Sequence, residues 1–251
     1  VKAIKKKITS SPETPRDETH EEADVVTHIE NPKGREVMSK LGQERVYMNI
    51  PEDLEKYKGK KPRIVVYFHG DHGSIDSNLP LLKSEITKMR EDGDPVILVI
   101  PENRIGGWQD FTDPEAFNKL ISMTDEASGI QNAEITITSH SGGYLAVQNI
   151  LKSGDQYDRI KSLGLLDSAY HNSNKEFIKF ASDPTKKMHS VFTKYLTGKN
   201  EEMIAALIPG VNPQQEGNDT VWKDDSGRIE IRSTKTGHTV VPKVYFRDFA
   251  S

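Results

Sequence analysis

Residues 135–147, ITITSHSGGYLAV, set a serine between a histidine and two glycines, where a β-branched apolar run gives way to a helical pattern. A strand that turns straight into a helix around such a serine holds the Oγ of Ser141 clear of its surroundings, and so crowded a backbone tolerates only small neighbours. The helix that follows aims its first N–H groups at the apex, so the N–H of Gly142 can stabilise charge forming on an attacked carbonyl oxygen. That is the chemistry of acyl transfer to a serine nucleophile. A plain glycine-rich turn would explain the glycines and leave the serine without a reason. The usual pattern is G-x-S-x-G; here it reads Ser139-His140-Ser141-Gly142-Gly143, with serine in place of the first glycine, a small-for-small change. A second set of residue types points elsewhere. His69, Asp71 and His72 in HGDH, with His140, are all zinc-competent. A metal site built on them, however, leaves the serine bend unexplained.

Placing these residues requires strands that end at them. RIVVYFHG (63–70), PVILVIP (95–101), EITITS (134–139) and SLGLLD (162–167) are short continuous apolar runs, the mark of strands buried on both faces. RVYMNIP (45–51) reads as a strand stopped by proline, with DVVTHI (24–29) as its expected neighbour, and RIEIRS (228–233) as the last strand. Between them, LPLLKSEITKMRED (79–92) and DPEAFNKLISMTDEAS (113–128) have helical spacing, the second opened by an N-cap Asp113 and Pro114. Leu145–Leu151 carry apolar side chains at helical spacing before Gly154. This alternation predicts an α/β protein with a mostly parallel central sheet covered by helices on both faces. Ligands in such sheets bind at the carboxyl ends of the strands, which is where Ser141 and the HGDHG segment fall.

With the serine bend in that setting, residues 24–251 resemble the α/β-hydrolase superfamily, and serine esterases and lipases in particular. The resemblance implies further roles. In the family a His-Gly after the strand of YFHGDHG (67–73) opens the oxyanion-hole loop, which assigns the second donor to the backbone N–H of Asp71. TKTGHTVVP (234–242) puts His238 in a loop after the last strand, where the family keeps its catalytic base, and the order Ser, acid, His is preserved. The acid is implied at Asp167, which ends LGLLD one strand after the bend, a position some lipases use; Asp224 and Asp225 compete with it. His69, Trp108, His140 and His171 are candidates for the substrate-binding wall, while His20, His28 and His189 carry no such expectation. Residues 168–226, with the helical pieces NKEFIKFAS, KKMHSVFTKYL and EEMIAAL, are expected to form a small helical cap inserted in the domain. That cap is polar and lysine-rich, unlike the broad apolar lid of an enzyme working on bulk lipid.

Composition bounds the rest. The 251 residues suffice for one α/β domain over 23–251, preceded by a charged, proline-containing tail over 1–22. Net charge is −4 with both signs mixed, which gives no reason to expect a phosphate backbone as partner, so a nucleic-acid partner is not expected. No run approaches the ~18 apolar residues of a membrane span. Cysteine is absent, removing thiolate metal sites and a cysteine nucleophile. Opening on Val1 rather than methionine fits removal of an upstream segment, and the expectation is a soluble protein, cytoplasmic or secreted after that removal. The functional expectation is a cofactor-independent serine hydrolase cleaving a soluble small-molecule ester or amide; a hydrolase-fold binding protein without the chemistry is the alternative, and a metal-dependent hydrolase using His69, Asp71 and His72 comes third.

Overall fold

Four apolar runs lie side by side at the centre of the computed structural model, which describes residues 27–29, 34–52, 57, 60–103, 107–170 and 174–251. They are β4 (Arg63–Phe68), β5 (Val96–Pro101), β6 (Glu134–His140) and β7 (Ile160–Leu166). Around them stand β1 (Thr27–Ile29), β2 (Arg35–Leu41), β3 (Glu44–Ile50), β8 (Lys187–Phe192), β9 (Gln214–Glu216), β10 (Asp219–Lys223) and β11 (Ile229–Ser233). The sheet runs in the order β1-β2-β3-β5-β4-β6-β7-β8-β11-β10-β9. Its six central strands, β5 to β11 in that order, are parallel, and antiparallel strands extend both edges.

Helices cover both faces, as the alternation implies. α2 (Pro114–Ser128), α3 (Tyr144–Ser153), α4 (Asn174–Ala181) and α5 (Thr197–Leu207) share one apolar cluster, and α1 (Ile75–Glu91) and α6 (Val241–Phe249) share the other. The period-2 rule of a strand divides β4 between them: Ile64, Val66 and Phe68 face the first cluster, Val65 and Tyr67 the second. α1 begins at Ile75 rather than Leu79, because Ser74 caps it and exchanges hydrogen bonds with Ser77. α2 begins as its sequence dictates, with the Asp113 carboxylate accepting from the Glu115 N–H at 3.0 Å.

Three sequence expectations need correction. DVVTHI does not neighbour RVYMNIP; its last three residues form β1, which pairs with β2, and β2 lies between β1 and β3. The stretch 168–226 is not a helical cap throughout. KKMHSVFTKYL contains β8, a fully integrated strand between β7 and β11, while 214–216 and 219–223 form β9 and β10. The helices expected at 174–182 and 201–207 exist, but Phe177, Phe180 and Met203 bury them on the sheet. Beyond the last strand, where no element is expected, α6 buries Val241, Tyr245, Phe246 and Phe249. The tail over 1–22 lies outside the described residues, and no described helix is long and apolar enough to cross a membrane.

Candidate active site

β6 stops at His140, and Ser141–Gly143 make a single tight turn before α3 starts at Tyr144. Ser141 has φ +49°, a left-handed conformation that an L-residue holds only when its surroundings enforce it. Its neighbours show what enforces it. A Cβ on Gly143 would strike the carbonyl of Phe68, and one on Gly142 would strike the Asp71 carboxylate. A Cβ on Gly70 would stand 2.9 Å from the Cβ of Ser141, so the 69–73 loop lies directly against the bend.

Serine in place of the first motif glycine also has a physical reason. Ser139 is fully buried, and its Oγ donates to Ser168 Oγ at 2.9 Å. The Ser168 hydroxyl in turn donates to the carbonyl of Ser141 at 2.9 Å. A two-hydroxyl chain therefore ties the bend to the loop after β7. Ser168 follows Asp167 in sequence, so the same loop carries both contacts.

Asp167 is 1% exposed and has φ +49°. Its Oδ2 lies 2.5 Å from Nδ1 of His238. Thr193, just past β8, donates to the same carboxylate twice: its N–H to Oδ1 and its Oγ1–H to Oδ2, each at 2.8 Å. Burial alone would raise this carboxyl's pKa, but the bonds from His238 and Thr193 outweigh it and hold the pKa below the usual aspartate value. Asp167 is thus an anion at neutral pH, which fixes His238 with its proton on Nδ1 and leaves Nε2 as the basic nitrogen.

His238 is partly exposed and lines the same cleft as Ser141, a depression of about 420 Å³ also lined by Gly70, Asp71, His72 and His140. His140 supports it from the side. The two imidazole centroids lie 4.6 Å apart with the rings tilted by 32°, and His140 Nε2–H donates to the His238 carbonyl at 3.1 Å. Burial first, and the neighbouring His238 second, push the His140 pKa down to about 4, so it stays neutral while holding that loop. Burial raises the pKa of the Tyr170 phenol, and the nearby Ser141 hydroxyl works against that rise.

Asp224 and Asp225 do not approach His238. Asp224 closes the β10–β11 hairpin, accepting from the Ile229 N–H at 2.9 Å and the Ser226 hydroxyl at 2.7 Å, while Asp225 sits in its exposed turn. Among the expected wall residues, His140 lines the cleft. His69 and Trp108 do not. Each is 1% exposed, their rings meet at 5.0 Å, and Trp108 packs edge-on against Phe68 and Phe111, where its large ring fills the core beneath the loop. His171 lies outside the described residues. The HGDH residues diverge rather than converge: His69 is buried with Nδ1 on the Gly70 carbonyl, whereas Asp71 and His72 are exposed. Among the described residues no three His, Asp or Glu side chains gather as a metal-ligating group. Sequence reasoning missed Thr193, Ser168 and Tyr170. Only their closeness to Asp167 or to the unread strand β8 could have signalled them.

No family model matches this sequence, and no curated protein matches it. Solved structures do. The chain superposes on a feruloyl esterase module from Clostridium thermocellum with a TM-score of 0.58 at 11% identity, over 91% of this chain and 87% of that one. An acetyl xylan esterase from Aspergillus awamori gives 0.56 at 12% identity, over 90% and 100%. A cold-adapted esterase from an Arctic intertidal metagenomic library gives 0.54 at 11%, over 90% and 98%. This chain has the α/β-hydrolase fold.

Proposed function

We propose that this protein is a serine hydrolase that cleaves a small ester through an acyl-enzyme intermediate. Ser141 is the nucleophile, His238 the general base and Asp167 the residue that orients and charges-balances that base. The observation that carries the reading is the Asp167–His238 contact at 2.5 Å, at the rim of the cleft that holds a serine at φ +49°. Each part has a physical task. His238 Nε2 takes the Ser141 proton as Oγ attacks the ester carbonyl, and Asp167 stabilises the imidazolium that forms. The backbone N–H groups of Gly142 and Asp71 receive the charge on the former carbonyl oxygen. Collapse of the tetrahedral intermediate expels the alcohol, protonated by His238, and water repeats the sequence on the acyl-enzyme.

The neighbours named as esterases support an ester over an amide as substrate. The cleft, lined by polar groups that include Asp71, His72, Ser77 and Asn78, suits a small soluble molecule better than bulk lipid. The test is covalent. A fluorophosphonate should label Ser141 stoichiometrically, with hydrolysis of p-nitrophenyl acetate lost in parallel. Absence of both would favour the alternative of a binding protein that kept the fold without the chemistry.

A further inference from the structure

The cleft beside Ser141 is one-sided. Its lining comes from the 70–73 loop, the bend, α1 and the turn at 238–242; among the described residues, α2, α3, α4 and α5 contribute nothing to it. It opens over the sheet face that α1 and α6 cover, where the two helices pack together on one apolar cluster.

The reaction decides which part of an ester belongs there. His238 Nε2 must hand its proton to the leaving oxygen, so the alcohol lies on the His238 side of the attacked carbon. Thr239 and Pro242 continue the lining from His238, and Ser77, Asn78 and Leu81 of α1 belong to the same cleft.

The character of that α1 wall follows from its hydrogen bonds. Ser77 and Leu81 stand i, i+4 on the helix, and Asn78 and Leu81 i, i+3, so they form one stripe. A serine carries one donor hydrogen and an asparagine two. Ser77 Oγ donates to the Ser74 carbonyl at 3.0 Å. Asn78 Nδ2 donates to the same carbonyl at 2.8 Å and to Ser77 Oγ at 3.2 Å. The Asn78 Oδ1 in turn accepts from the buried Tyr67 hydroxyl at 3.2 Å. The stripe's donors are all spent at the start of α1. What it and the 238–242 turn offer a ligand is the hydrocarbon of Leu81 and the ring of Pro242, while Asp71, His72 and Thr239 are exposed to water.

We propose, resting on the serine-hydrolase reading, that this stripe and Pro242 form the alcohol subsite. It takes the unsubstituted hydrocarbon of a short alkyl alcohol rather than a hydroxyl-rich one such as a sugar, and Leu81 is its specificity-determining residue.

Two ester series test this: the acetates of methanol, propanol and pentanol, and the methyl esters of acetic, butyric and hexanoic acids. Along the acetates, kcat/KM should rise by about two- to fourfold per methylene as the chain covers Leu81. Leu81→Gln, similar in size and well suited to a helix, should flatten that rise and leave the ratios within the methyl esters as they are. With the wild type alone, pentyl acetate should exceed its ether isostere, ethoxyethyl acetate, by about fivefold or more once their hydroxide rates are divided out, because the ether oxygen meets no donor. A Leu81→Gln effect confined to the methyl esters, or absent from both series, would overturn the subsite, and so would equal use of the pentyl and ethoxyethyl esters. The hydrolase reading survives each of these. No turnover of any ester, with no fluorophosphonate label on Ser141, would sink that reading and the subsite with it.

Discussion

Two carboxylates flank the bend at Ser141, and they are opposites. Asp167 is buried, accepts from Thr193 twice and meets His238, so each of its oxygens is engaged. Asp71, a few residues' width away across Gly142, is exposed and has no cation beside it among the described residues. The protein has spent burial and hydrogen bonds on fixing one charge and left the other to solvent. A buried, satisfied carboxylate can hold an imidazole in one orientation; an exposed one can meet only what arrives. The inner half of the site therefore carries a fixed, satisfied charge and the outer half a solvated one.

That division breaks most visibly at Ser141. Ser141→Ala should lower kcat for an activated ester by about 10⁴-fold or more, with thermal stability nearly unchanged. Near-parental turnover would mean that the inner half performs no covalent step. Asp167→Asn should come next, with a loss of about 10³ to 10⁴ in kcat, since the amide can bind His238 in the wrong tautomer. Because Asp167 is also held by Thr193, this variant should keep its fold, checked by circular dichroism.

How much of this division could be read from the residues follows from the kind of signal each half sends. The bend announces itself through local steric demands, serine among glycines between a strand and a helix, and the carbonyl of Phe68 against Gly143 is the demand made visible. The four central strands are legible for a similar reason, since strands buried on both faces are apolar throughout. β8 is not legible, because Lys187 and His189 interrupt its run and its lysine-rich flank resembles a solvated helix. With β8 unread, Thr193 had no position, and half of the Asp167 environment went with it. α6 hides for another reason: its apolar residues at 241, 245, 246 and 249 keep helical spacing, but polar ones intervene and Pro242 looks like a stop when it stands in the first turn. The stacking of Tyr144 on Tyr170 is invisible at the level of sequence, because the two are joined only by tertiary packing.

Acid should sharpen the contrast between the two halves. His140 is held neutral by burial, with its pKa pushed down to about 4, against about 6.5 in the unfolded chain. The unfolded state therefore binds the extra proton first. The penalty is absent well above about pH 6.5, grows as the pH falls, and is complete below about 4, reaching on the order of 3 kcal/mol. Asp167, with its pKa depressed, adds a loss in the same direction at still lower pH as it is protonated through its folded value. Urea denaturation at pH 7, 5.5 and 4.5 measures this. His140→Phe should flatten the upper part of the profile. A stability that did not change between pH 7 and 4.5 would mean that His140 is not held neutral.

The smallest effect concerns the two hydroxyls that join the inner half to itself. Ser139 donates to Ser168, and Ser168 donates to the carbonyl of Ser141. Ser168→Ala removes the acceptor of one bond and the donor of the other, leaving the fully buried Ser139 hydroxyl without its partner. A stranded buried hydroxyl costs about 1–3 kcal/mol, more than the bond itself is worth. Ser139→Gly removes that stranded group and restores the glycine of the common motif. The pair is therefore expected to be non-additive: Ser168→Ala should destabilise by about 1–2 kcal/mol, and adding Ser139→Gly should return part of it, despite the usual cost of glycine within a strand. Turnover should fall by about tenfold or less in either single variant, because the chain steadies the bend without touching the reacting atoms. Additive losses in the double variant would mean that the two hydroxyls act separately, and the bend at Ser141 would then owe its conformation to the glycines alone.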